Sequence, residues 1–224
     1  MQGQVKLLIL TPPKAGLTPQ EFQDHWRHPH GTLSRSIRLM RHYIQNHRIL
    51  GAADISGDSP YYGIGEVTFD NLEASQSLAD DPEYSNNVQP DEATFVDQEN
   101  FEFVAVTENV IPPGSAVTAR TLADRTWSDR DAPSFVTLFE IIRRDTSAST
   151  PTPTTAAALA DQLGAFRAIV NIPVDDDGPV AEIRQYIWPT LTAFQQATAD
   201  GAGALALAHI QQGERVLTLS ERAI

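Results

Sequence analysis

The sequence predicts an α+β protein in which a βαββαβ unit is followed by a second, degenerate βαββαβ unit. Three observations lead there. Strand-length apolar runs alternate with stretches of helical period, the order strand–helix–strand–strand–helix–strand can be read twice, and Ile111-Pro112-Pro113-Gly114 punctuates the chain between the two readings. The expected boundaries are a first domain over residues 1–111, a linker over 112–132 that carries Trp127, and a second domain over 133–224. Residue identity between the copies is negligible, so the repeat rests on element order and spacing.

The elements follow in order. Val5–Leu10 is a strand apolar on both faces, which requires cover on both sides. Thr18 then caps a helix, with Pro19 at its first position and Glu21 completing a capping box, while Leu17 and Phe22 are placed for a hydrophobic staple. Phe22, Trp26, His30, Leu33 and Ile37 form one inward stripe, kinked at Pro29. Strands follow at Arg41–Ile49 and Tyr61–Phe69, then a short helix at Leu72–Leu78, a polar loop at Asp80–Asp97 and a strand at Phe101–Glu108. The second unit reads as strand Phe135–Ile142, a Ser/Thr/Pro-rich loop 145–154, helix 155–163 and strand Phe166–Ile172. Strand Ala181–Trp188, helix 190–200 with weaker signal to His209, and strand Arg215–Leu219 complete it.

Composition excludes several classes. The formal net charge is −13, and the first 115 residues hold 7 basic against 16 acidic side chains, so neither half offers phosphates a basic face and no nucleic-acid partner is expected. No apolar run approaches the ~20 residues of a membrane span. The run at Val5–Leu10 is followed at once by Thr11-Pro12-Pro13, unlike a signal peptide, and the chain has no cysteine. A cytoplasmic protein is the expectation. Five of the six histidines (His25, His28, His30, His42 and His47) fall between residues 25 and 47.

That window also carries a resemblance. Lys14-Ala15-Gly16-Leu17-Thr18-Pro19-Gln20-Glu21-Phe22, then Trp26, His30-Gly31 and Tyr43-Ile44-Gln45-Asn46-His47, resemble the signature of the EthD family, a branch of the dimeric α/β-barrel (ferredoxin-like) superfamily. The resemblance spans residues 4 to about 110, is specific over 14–47, and is absent from the second half, which has no Tyr-x-x-Asn-His near Phe166–Asn171. It implies ferredoxin-like units with a pocket between sheet and helices. Two such sheets, normally from two subunits, face one another; a fused tandem could close the same barrel within one chain. Such proteins include cofactor-free isomerases, cyclases, decarboxylases and dehydratases acting on lactones and polyketide-like aromatics, some monooxygenases, and others without assigned activity.

The candidate site residues follow. His30, on the apolar stripe one turn after Trp26, is a candidate general acid or base, the alternative being a core histidine bonded to a carbonyl. His47 and Tyr43 share a strand face with Gln45, so His47 is a second acid/base candidate and Tyr43 a donor to a developing oxyanion; cross-strand packing is the competing role. Trp26, Phe22, Gln45 and Tyr62 are the candidate substrate-binding residues. His25, His28 and His30 lack a carboxylate at ligand spacing, so no metal is expected, and no other cofactor. The expected function is a cofactor-independent isomerase, dehydratase or decarboxylase using His/Tyr acid–base chemistry on a small lactone- or polyketide-like substrate. The alternatives are a cofactor-less monooxygenase of the same fold and a non-catalytic ligand-binding or accessory protein. A homodimer is compatible with any of these.

Overall fold

A computed structural model describes residues 3–111, 134–144 and 153–224. The linker 112–132 and most of the loop 145–154 lie outside the described residues. The first unit runs β1 (Val5–Thr11), α1 (Pro19–His25), α2 (Gly31–Ser34), β2 (His42–Arg48), β3 (Gly63–Phe69), α3 (Leu72–Gln76), α4 (Gln89–Phe95) and β4 (Glu102–Ile111). The second runs β5 (Ser134–Arg143), α5 (Pro153–Gln162), β6 (Arg167–Pro173), β7 (Val180–Trp188), α6 (Leu191–Ala197), α7 (Gly201–Ile210) and β8 (Glu214–Arg222).

The eight strands form one closed antiparallel barrel in the order β1-β3-β2-β8-β5-β7-β6-β4. Each half contributes four neighbours, β4-β1-β3-β2 and β8-β5-β7-β6, which is the same ferredoxin-like order in both. Two seams join them: β2 pairs with β8, setting Ile44 against Arg222, and β4 pairs with β6, setting Val106 against Pro173. Closure within the chain removes the sheet edges that a single unit would expose.

Strand alternation divides the side chains. Leu8, Leu10, Ile64, Phe139, Ile183 and Val216 form a cluster drawn from strands of both halves and containing no helix residue, so it is the barrel interior. A polar layer lies beside it, where Asn46 donates to the Ile64 carbonyl (2.8 Å) and to Glu66 (2.9 Å) and accepts from Ser220. The outward faces meet the helices. Tyr186, Trp188 and Leu217 pack with Leu163, Phe194 and Ile210 in the second half. In the first, Leu7, Tyr43 and Val67 pack with Ile37 and Tyr84.

Two expectations change. The segment Asp80–Asp97 is not a loop: Tyr84–Val88 forms a π-helical turn that continues into α4, burying Tyr84, Val88, Glu92 and Phe95. Its apolar positions are sparse and Pro82 and Pro90 interrupt them, which hides the helical period; Pro90 sits in the first turn of α4, where proline is tolerated. The single helix over Phe22–Ile37 is broken as well. α1 stops at His25, His28 is extended (φ −146°, ψ 127°) before Pro29, and Ile37 is buried beyond the end of α2.

Candidate active site

The site grows from the helix start. The Thr18 hydroxyl accepts from the Glu21 amide (3.2 Å) and the Glu21 carboxylate accepts from the Thr18 amide (2.8 Å), so the predicted capping box fixes where α1 begins. Phe22 and Trp26 follow on its buried face, their rings 5.8 Å apart. The Trp26 indole lies across β3 at Gly63, where an added Cβ would sit 1.9 Å from the ring. A methyl group there must displace the indole, so Gly63→Ala is expected to cost about 1–3 kcal/mol in urea unfolding. A cost below 0.5 kcal/mol would mean that Trp26 does not need this approach.

Trp26 Nε1 donates to the Tyr43 hydroxyl (3.0 Å), and the Gln45 amide donates to that hydroxyl (3.2 Å) and to the Trp26 carbonyl (2.7 Å). Burial pushes the Tyr43 phenol well above its ordinary value, so it stays protonated. After the break at Pro29, His30 enters the interior with 5% of its surface exposed, and its Nδ1 lies 3.0 Å from Asp91 of α4. The other Asp91 oxygen meets His25 Nε2 at 2.9 Å. Burial opposes charge on Asp91, but the hydrogen bonds from His30 and His25 outweigh it and hold the carboxyl below its ordinary value. A carboxylate only accepts, so the proton of neutral His30 is assigned to Nδ1 and Nε2 becomes its basic nitrogen.

His30, Tyr43, Trp26, Glu92, Phe95 and Ile9 meet around a cavity of about 20 Å³, room for about one water. Glu92 is 6% exposed and accepts from the Tyr84 hydroxyl at 2.9 Å; burial, reinforced by Asp91, pushes its carboxyl up to about 7. Tyr84 also lines a larger, mainly apolar groove of about 670 Å³ along β4 and the β6–β7 turn. One hydrogen bond therefore spans from groove to cavity.

Three of the seven sequence-derived residues, His30, Tyr43 and Trp26, line the cavity, and four do not. Phe22 is enclosed among Trp26, Phe95 and Tyr62. Gln45 braces Trp26 and Tyr43 from behind, and Tyr62 is half-buried with Arg48 over its ring. His47 packs on the Trp26 ring at 4.7 Å, bonds through Nδ1 to Gln23, and keeps Nε2 buried without a hydrogen bond, 3.9 Å from Glu221 of β8. The two histidines do not share the cavity; the carboxylates nearest His30 are Asp91, bonded to its ring, and Glu92, which lines the same cavity. Both carboxylates lie on the segment read as loop, and their signal was the Asp91-Glu92 pair in the first turn after Pro90.

Residues 14–99 match the EthD domain. This segment is an EthD domain. The fold of the whole chain is that of an anthrone oxidase-like protein (9% identity over 99% of this chain and 92% of that one, TM-score 0.57). It is also that of a candidate monooxygenase from Fusobacterium nucleatum subsp. nucleatum (3% identity, 100% and 94% covered, TM-score 0.56). At such identities the likeness establishes the dimeric α/β-barrel fold. No curated protein matches the sequence. The EthD domain contributes every residue of the His30 cavity except Ile9 and Thr11 of β1 and Phe101, which directly precedes β4. Among the described residues no helix is long and apolar enough to cross a membrane.

Glu92 and His47 make the stability of the domain depend on pH in opposite senses. Unfolded Glu92 loses its proton near 4.5 and folded Glu92 near 7, so stability from this group falls as pH rises through that window. His47, held neutral chiefly by burial, is pushed down to about 3 from 6.5, so its contribution is lost as pH falls below 6.5. Between pH 4.5 and 6.5 the two slopes oppose. In Glu92→Gln the His47 slope stands alone, and unfolding stability is expected to drop by ~2 kcal/mol from pH 6.5 to 4.5. Urea titrations of wild type and variant across pH 4.5–8 measure it, and identical profiles would refute the assignment.

Proposed function

We propose that the EthD domain is the catalytic unit of a cofactor-independent enzyme that moves a proton on a small, largely apolar, oxygenated molecule such as a lactone or polyketide-like aromatic. The observation that carries this reading is the His30–Asp91 contact at 3.0 Å beside a carboxyl group pushed up to about 7 in the same cavity. Asp91 orients the His30 ring and stabilises its cation, so Nε2 abstracts a proton next to a carbonyl. Glu92 is poised to return a proton near neutral pH, and the Tyr43 hydroxyl, held by Trp26 and Gln45, donates to the developing oxyanion. The cavity holds the reacting atoms only. The apolar body of the substrate extends into the groove along β4, and its entry displaces the Tyr84–Glu92 bond.

The second reading is a cofactor-less monooxygenase, favoured by the names of the two structures that share the fold, one oxidase-like and one a monooxygenase. It uses the same base: proton removal from a phenol or enol gives an electron-rich anion for dioxygen to attack. One experiment separates the readings. A panel of β-keto lactones and polyphenols is incubated with the protein in deuterium oxide, with and without oxygen. Deuterium uptake at carbon without oxygen consumption supports proton transfer, and oxygen uptake with a hydroxylated or quinone product supports the second reading. If neither occurs with any compound that binds, the domain is not catalytic on this class. No second copy is needed to complete the barrel, so turnover per molecule is expected to be independent of protein concentration.

A further inference from the structure

We propose that Tyr84 is a gate between the groove along β4 and the His30 cavity, and that a molecule displacing it leaves Glu92 in the cavity as a proton donor. This rests on the reading of that cavity as the reacting centre. The two spaces are neighbours on one face of the sheet. Leu7 and Ile9 are successive outward positions of β1, the first lining the groove and the second the cavity. Beside them, Phe103 of β4 lines the groove and Phe101 the cavity, with their rings 4.6 Å apart. Two positions along a strand span about 7 Å, so one side chain is enough to part them. On the helical side that side chain is Tyr84, which lines the groove, is buried, and donates to Glu92 on the cavity wall at 2.9 Å. The helix carrying Glu92 is pinned. The Lys14 side chain donates to the Ala93 carbonyl (2.8 Å), the Lys14 amide to that of Phe95 (2.8 Å), and His25 and His30 both hold Asp91. Tyr84 instead belongs to the π-helical turn before α4. A cavity of about 20 Å³ admits nothing larger than a water unless a wall moves, and Tyr84 is the wall that faces the groove.

Displacing Tyr84 has a chemical consequence. A hydroxyl that donates to a carboxylate favours its charged form, whereas burial and a neighbouring negative charge disfavour it. At Glu92 burial is the largest influence and Asp91 adds to it, while the Tyr84 hydroxyl opposes both, and the balance falls at about 7. The titratable groups around Glu92 are Tyr84 on the π-helical turn, Asp91 on its own helix, Tyr43 on β2, His30 ahead of α2, and His25 of α1, which reaches Asp91. None is a lysine or arginine that would keep the carboxylate charged. With the Tyr84 hydroxyl gone, the influences named for Glu92 that remain both disfavour charge. The carboxyl then takes a proton from solvent at neutral pH and faces the entering molecule as an acid. An apolar oxygenated molecule without a hydroxyl of its own cannot replace the lost donor, so its entry and the protonation of Glu92 are coupled. Tyr84 is thus a positioning residue, acting through Glu92.

The test is calorimetric titration of the full chain at pH 7 with anisole, an aryl ether with no hydroxyl, in two buffers of different ionisation heat. Wild type is expected to take up about half a proton per anisole bound, the fraction by which a group of pKa near 7 is ionised at that pH. Tyr84→Phe, which keeps the ring and so its packing, and Glu92→Gln are expected to bind anisole with almost no proton uptake. Binding by wild type without uptake, or the same uptake in either variant, would overturn the proposal. The methyl signal of Ile9 locates the molecule: it is expected to move with anisole, and shifts confined to Leu7 and Leu78 would leave the ligand in the groove and refute displacement. A second readout needs no ligand and decides if anisole does not bind. The Glu92 carboxyl carbon is expected to titrate near 7 in wild type and about one pH unit higher in Tyr84→Phe. A midpoint that does not rise would refute the coupling, because a merely structural hydroxyl lowers stability without moving it. Should Tyr84→Phe fail to fold, the wild-type uptake and the Ile9 signal decide. None of these readouts requires turnover, so the gate stands or falls separately from the deuterium-exchange result.

Discussion

His30→Ala is expected to lower the rate of substrate deprotonation by at least about a hundredfold while leaving the fold intact, the size typical of losing a positioned general base. Its Nδ1–Asp91 contact, at 3.0 Å, fixes the ring, so Asp91→Asn is expected to keep the imidazole yet reduce the rate by roughly tenfold or more. An asparagine can present its NH2 to Nδ1 and so stabilise the wrong tautomer. Glu92 supplies an independent readout. Its carboxyl is pushed up to about 7, so the wild-type pH–rate profile is expected to bend near neutrality, and Glu92→Gln is expected to remove that bend. His47→Gln serves as the control: His47 lies outside the cavity, and burial holds it down at about 3, so it does not titrate in this range. Turnover that survives His30→Ala but disappears with His47→Gln would reverse the assignment. The measurement is deuterium incorporation into the best-binding compound, followed by NMR at several pH values.

Trp26→Ala is expected to destabilise the protein by about 3–5 kcal/mol, the largest stability effect of any single truncation near the site. The indole is 2% exposed and packs against Phe22 and His47, so its loss opens a void among close-packed rings. It also removes the donor to the Tyr43 hydroxyl. Trp26→Phe keeps most of the volume but not the N–H, and is expected to cost about 1–2 kcal/mol. Urea unfolding at pH 7 compares the three proteins. A loss below 1 kcal/mol for the alanine variant would show that the surrounding rings collapse to fill the space. Tyr43 should report the same change, because a phenol without its indole donor no longer sits in a fixed position. Catalysis is therefore expected to fall in Trp26→Phe even where stability is largely retained.

Legibility of the site in the sequence followed the range of its signals. The capping box at Thr18, the stripe through Phe22, Trp26 and His30, and the placing of Tyr43 on a strand face were readable because each depends on residues within about four positions. Asp91 and Glu92 were readable only as an acidic pair after Pro90. Their helix is short, with only Glu92 and Phe95 buried, and no periodic pattern long enough to register surrounds it. His47 shows the converse limit. Alternation correctly set it on the same face as Tyr43, but a strand face is broad, and Trp26 packs against the His47 ring and lines the cavity that His47 does not.

The sequence by itself determined the element order of the first unit, the start of its first helix, the EthD likeness of the 14–47 window and the excess of acidic side chains in both halves. These are properties of local spacing and composition. Only the tertiary structure decided that the barrel closes within one chain, through contacts such as Ser220 with Asn46, 174 residues apart. It alone set His30 against a carboxylate 61 residues away. The physical reason is common to both. A contact between distant segments is selected by the fit of two finished surfaces and by the entropy of closing the chain between them, and neither leaves a periodic trace in the residues that make it.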